Sequence, residues 1–166
     1  MTSSPDVVRY KHMKLLSQLD PRWCNVKLGS TPYPIGRWGC YETSILNGAN
    51  ALNANPKGLL PSDLAANVAN FNSNGDLFAE KICKQIGTIK FNGKELTYNP
   101  VNIAAALKDP RRFVILNVNG GAHFVLCWGK VPLFDDWFVA DPLGGKIVRA
   151  KAKYHNVVGA RYFSLI

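Results

Sequence analysis

The apolar positions of this chain repeat with two different periods. From Cys40, the residues Ile45, Leu46, Ala49 and Leu52 recur at helical spacing, and Asn53 to Gly58 break the pattern. Pro61-Ser62-Asp63 open a second helix, with Ser62 as its expected cap and Leu64, Ala65 and Val68 as its apolar stripe. A third helix is expected after Asn74-Gly75, using Leu77, Phe78, Ile82 and Ile86, with Gly87 ending it. In the second half the period shortens. Residues 88–98 predict a short hairpin around Asn92-Gly93, and Asn99-Pro100 open one more helix running through Ile103 and Leu107. Strand-like runs then follow at 113–119, 123–131, 137–142, 146–152 and 160–166, separated by turn residues such as Gly120-Gly121 and Leu143 to Gly145.

Helices first and consecutive strands afterwards predict an α+β fold with an antiparallel sheet. Residues 1–13 read as a polar arm, residues 14–39 as an ordered loop region rich in Pro, Gly and aromatics, and 14–166 as a single domain. At 166 residues the chain can bury a real core without disulfides or a structural metal. The N-terminus lacks the apolar stretch of a cleaved export signal, and no apolar run approaches a membrane span. The expectation is a soluble protein made in the cytoplasm, released by lysis or carried in a particle. The four cysteines, Cys24, Cys40, Cys83 and Cys127, form no CxxC pair and no zinc spacing, so neither metal nor cofactor is expected.

The formal net charge of +9 favours anionic surfaces, among them nucleic acid, phospholipid head groups and the bacterial wall. The basic residues are scattered, with no dense stripe and no nucleic-acid recognition motif, so a specific nucleic-acid binder is the least favoured class.

Candidate chemistry centres on Cys40. It follows Gly39 and starts a helical pattern, so its thiol meets the unpaired N–H groups and positive dipole end of a helix N-terminus, which favour thiolate over thiol. Cys83 in mid-helix, Cys127 in mid-strand and Cys24 in a loop read as small apolar fillers. His123 begins a strand after the Asn119-Gly120-Gly121-Ala122 turn, and Asp141 ends the next strand. If the two strands pair as a hairpin, His123 and Asp141 become neighbours, suiting a base held by a carboxylate through its second ring nitrogen. Read singly, His123 is an ordinary strand histidine and Asp141 a turn residue of an Asp-Pro pair; the ordered set of Cys40, His123 and Asp141 strengthens the catalytic reading.

The segments Gln18-Leu19-Asp20-Pro21-Arg22-Trp23, Gly39-Cys40-Tyr41-Glu42-Thr43-Ser44, Ala122-His123-Phe124-Val125 and Ala140-Asp141-Pro142 occur in an order that resembles the papain-like cysteine peptidases. Within them it is similar to the double-glycine leader peptidases of bacteriocin exporters. The resemblance spans roughly residues 14–145 and implies a papain-like fold of N-terminal helices on a C-terminal sheet. It also implies Cys40 as nucleophile, His123 as base, Asp141 as its orienting partner, and Gln18 beside the Cys40 N–H as an oxyanion donor. Gln18 stands 22 positions before Cys40, farther than in the best-known members, and reaches it only if 24–39 folds back. Trp23, Tyr33, Trp38, Trp128 and Trp137 are candidates for a groove wall, with the core the commoner place for most of them. Three functions stay open: a lytic peptidase or amidase on bacterial wall peptides, of the kind carried by phages; a leader-processing peptidase; and a papain-like binding module with an idle triad.

Overall fold

The computed structural model describes residues 13–166; the expected polar arm therefore lies, but for Met13, outside the described residues. Its centre is a six-stranded sheet in the order β1-β6-β2-β3-β4-β5, antiparallel throughout. The strands are β1 (Ile89–Glu95), β2 (Arg112–Val118), β3 (His123–Lys130), β4 (Trp137–Asp141), β5 (Lys146–Arg149) and β6 (Val157–Leu165). The helices are α1 (Ile35–Trp38), α2 (Cys40–Ala51), α3 (Pro61–Ala66), α4 (Ala79–Ile86), α5 (Pro100–Leu107) and α6 (Ala150–Tyr154). The class is α+β, as the pattern predicts.

Alternation along the strands decides which helices go where. Phe113 and Ile115 of β2 share one face with Leu126, Ala140 and Phe163, and this face takes Ile45, Leu46 and Ala49 of α2, Leu64 of α3, and Ile82 and Ile86 of α4. Val114, Leu116 and Val118 point the other way, with Val125, Val139 and Tyr162, against Ile103, Ala106 and Leu107 of α5 and Ala150 of α6. Because β2 is covered on both faces, it reads as a continuous apolar run. A smaller cluster of Trp23, Leu28, Ile35, Ala65 and Phe71 gives the 14–39 region its own core, which is why so loop-like a stretch is ordered. There Trp23 Nε1 donates to Ser17 O at 2.8 Å.

Several local expectations are corrected. Residues 88–98 form no hairpin: β1 continues through Asn92-Gly93 with a bulge and pairs with β6, because a long apolar partner strand was available to it. The run 146–152 is a strand only to Arg149, after which α6 takes over, its backbone N–H groups at Lys151 and Ala152 held by the Asp136 carboxylate. Ser62 does not cap α3; Leu60 precedes it, and Asp63 Oδ2 accepts from the Leu60 N–H at 2.7 Å. Asn99 does cap α5, accepting from Asn102 N–H at 3.1 Å. Among the described residues no helix is long and apolar enough to cross a membrane.

Candidate active site

Cys40 is the first residue of α2, and the α1–α2 junction that places it depends on Gly39. A Cβ at position 39 would lie 2.6 Å from Ile35 Cγ2 and 2.8 Å from Ile35 O, so only glycine lets the two helices meet this closely. Two contacts then fasten the start of α2 to the start of β3. Tyr41 stacks on Phe124 with ring centroids 4.2 Å apart, and Ser44 Oγ donates to Phe124 O at 3.2 Å. His123, one residue before Phe124, is thereby brought beside Cys40, with which it lines a cavity of about 660 Å³.

The imidazole is oriented from its far side. His123 Nε2 meets Asp141 Oδ1 at 2.9 Å, both side chains buried, which leaves Nδ1 for Cys40. The contact lies beyond the end of the β3–β4 ladder, whose last pair on this side is Leu126 with Ala140: Asp141 is one residue past Ala140 and His123 three residues before Leu126. The backbone turn before His123 takes positive φ at Asn119, Gly120 and Gly121 (54°, 62° and 98°), which is what the two glycines supply. Asp141 accepts more than the histidine. Lys153 Nζ donates to its Oδ2 at 2.6 Å, the Tyr154 hydroxyl donates to the same oxygen, and Leu143 N–H donates to Oδ1 at 3.0 Å.

These contacts set the charges. Burial works against an Asp141 carboxylate, yet the hydrogen bonds from His123, Lys153, Tyr154 and the Leu143 N–H outweigh it and hold the acid well below the usual carboxylate range. Burial likewise opposes the imidazolium, but the bonds and charges of Asp141 and Cys40 win, and His123 is pushed up to about 9. These contacts favour the imidazolium over the neutral ring.

Gln18 reaches the same cavity although 22 positions separate it from Cys40. Its backbone N–H donates to Pro142 O at 2.8 Å, next to Asp141, while Asn47 of α2 grips Leu16 through two bonds of 2.8 and 3.2 Å. The 24–39 region does fold back. The Gln18 amide nitrogen is turned toward the Gly36 and Ile35 carbonyls, at 3.1 and 3.4 Å, and its Oε1 is buried without a partner. The structure thus brings together all four residues singled out in the sequence: Cys40, His123, Asp141 and Gln18.

Of the candidate groove aromatics, Tyr33 and Trp38 line the cavity. Trp23, Trp128 and Trp137 do not; each is a core residue of a different cluster. Cys83 and Cys127 are buried and Cys24 is half-buried.

Three participants were not legible in the sequence. Lys153 and Tyr154 fell between the expected strands 146–152 and 160–166, and nothing short of the α6 turn shows that they face Asp141. Glu42 is the third. It is 1% exposed, neither carboxyl oxygen has a partner, and burial, aided by the charge of Cys40, holds it well above the usual carboxylate range. Its place two residues after Cys40 is visible in the sequence, but its burial without a partner is not. No protein-family model matches the chain, and no curated protein sequence matches it.

Proposed function

We propose that this protein is a cysteine-nucleophile hydrolase of peptide or amide bonds with a papain-like arrangement, similar to the double-glycine leader peptidases. One observation carries the reading: Cys40, at the first turn of α2, opens into the same cavity as His123, whose other ring nitrogen is fixed by buried Asp141. A nucleophile, a base within reach and a third group orienting the base form the constellation that covalent acyl transfer requires.

In this mechanism Cys40 sulfur bonds to the substrate carbonyl carbon and the C=O electron pair moves onto oxygen. The His123 imidazolium gives its proton to the amide nitrogen, the C–N bond breaks, and an amine leaves behind a thioester on Cys40. Water then attacks the thioester, with neutral His123 taking its proton. The sulfur–carbon bond breaks, a carboxylic acid is released, and the proton returns to the thiolate–imidazole pair. Asp141 keeps the ring in one tautomer, and Gln18 with the Cys40 N–H would hold the oxyanion. The substrate reading is bacterial wall peptide, supported by a net charge of +9 that favours an anionic surface.

The test is iodoacetamide labelling across pH, followed by mass spectrometry. Rapid labelling of one cysteine at pH 6, lost in Cys40→Ala and slowed in His123→Ala, supports the reading. Labelling that ignores His123 sinks it in favour of an idle, binding fold. Purified peptidoglycan left undigested while free peptides are cut would overturn the wall substrate alone.

A further inference from the structure

The cavity beside Cys40 has an unusual deficit. Glu42 Oε1, Glu42 Oε2 and Gln18 Oε1 are buried oxygens with no hydrogen-bond partner, and both residues line the cavity that Cys40 and His123 line. Buried polar atoms are nearly always paired, so three unpartnered oxygens at one site are an anomaly that a donor-rich partner would resolve. We propose that Glu42 is the specificity-determining residue of this cleft, and that it selects a substrate with a basic side chain, a primary amine or guanidinium, near the bond that is cut. The inference rests on the hydrolase reading above and names its substrate class.

The chemistry matches in number and kind. An ammonium offers three N–H donors and no acceptor; a guanidinium offers five. Either supplies what the wall lacks. Leu28, Tyr33, Phe71 and Leu77 also line the cavity, giving an apolar and aromatic path for the methylene stem of such a side chain and ring faces for its charge. Of the side-chain cations that line the cavity, Arg37 lies over the Trp38 ring at 5.4 Å and Arg161 over Phe124 at 5.3 Å, and Lys94 is the third. An empty cleft keeps Glu42 protonated, because an isolated buried carboxylate is costly. Entry of an ammonium reverses that preference, the carboxyl proton passes to solvent and an ion pair forms. An apolar side chain of the same length would leave the Glu42 carboxyl and Gln18 Oε1 unpaired, which is how buried polar groups reject an isostere. A diamino-acid residue, as in wall peptides, fits the proposed substrate.

The probes are acetylated tripeptidyl vinyl sulfones with lysine or norleucine at each of the three positions next to the warhead. The readout is the second-order rate of Cys40 modification by intact-mass spectrometry. At one position lysine should exceed norleucine by on the order of 10²-fold. In Glu42→Gln that ratio should fall close to one, and in Glu42→Leu it should invert; because lysine and norleucine probes are compared within each variant, any change in Cys40 reactivity common to both cancels from the ratio. Norleucine reacting as well as lysine at every position, or a lysine preference that survives Glu42→Gln, overturns the assignment. Failure of the hydrolase reading shows separately, as vinyl sulfones that leave Cys40 unmodified. In that event a thermal-shift comparison of n-pentylamine with 1-pentanol decides. A Tm rise with the amine alone, abolished by Glu42→Gln, supports the Glu42 site; equal shifts overturn it.

Discussion

Lys153 and His123 divide the Asp141 carboxylate between them, the ammonium 2.6 Å from Oδ2 and the imidazole 2.9 Å from Oδ1. Two cations on one acid compete. Asp141 is buried and cannot turn to water, whereas the Lys153 side chain is 44% exposed and its charge is partly screened. The acid that orients the histidine is thus itself pinned by a residue from a different element, α6, at a modest cost in its attraction for the imidazolium.

Lys153→Met tests that division. With the ammonium gone, more of the carboxylate's charge acts on His123, so the imidazole should titrate higher than about 9 by roughly half a unit or less. The histidine Cε1–H signal followed by NMR against pH reads it directly. An unchanged or lower midpoint would show that Lys153 does not compete for the acid.

Cys40→Ala should move the same signal the other way. Two of the influences that raise His123, a hydrogen bond and a charge, come from Cys40, and burial alone would lower it. The midpoint therefore falls below about 9 in the variant. Linkage gives the stability consequence. The folded-state value lies above the ordinary histidine value of about 6.5, so the stabilisation is complete below that pH and is lost as pH rises through about 9. Urea unfolding of the wild type should weaken across this window, and Cys40→Ala should weaken less. Asp141, held low, acts at the other end: its contribution is present above the usual carboxylate range and disappears as pH falls below it.

Gly48→Ala tests the α2–sheet packing on which the site rests. In an exposed helix the change would gain about 1 kcal/mol from helix propensity. Here an added Cβ would stand 2.3 and 2.4 Å from Phe113 Cδ2 and Cε2. Phe113 is fully buried and stacked on Phe163 at 4.8 Å, so it has nowhere to go. Overpacking of this kind typically costs about 1–3 kcal/mol. The expected result is a lower urea midpoint with the slope unchanged; a midpoint at or above wild type would mean that the helix can shift away from the sheet.

The parts of this structure legible in sequence are those where one local rule decides. Periodicity marks α2, α4 and the two-sided strand β2, and Gly87 ends α4 in the left-handed conformation, as a helix-terminal glycine should. Cys40, His123 and Asp141 stand out because each sits at the end of such an element. Where two local rules compete, tertiary partners decide. Asn92-Gly93 has the chemistry of a hairpin turn, yet β6 offers β1 a full-length partner and the pair becomes a bulge. The run 146–152 suggests a strand through Ala152, but Asp136 accepts the Lys151 and Ala152 N–H groups that start a helix. That single switch is what delivers Lys153 and Tyr154 to Asp141, so the residues pinning the acid were invisible for the same reason the helix was.

Gln18 offers the sharpest separation of chemistry from architecture. Its amide nitrogen now donates to Gly36 and Ile35 carbonyls, in a cavity it shares with Cys40. An oxyanion role concerns only reactions that build negative charge on a carbonyl oxygen. Alkylation by iodoacetamide is a displacement at carbon and builds none. Gln18→Ala should therefore lower kcat/KM for an amide substrate by on the order of 10²-fold while leaving the alkylation rate of Cys40 within a few-fold. A residue that merely props the Ile35–Gly36 backbone would disturb Cys40 itself, and both rates would fall together. Equal losses would thus assign Gln18 to the scaffold, and an unchanged kcat/KM would remove it from the site.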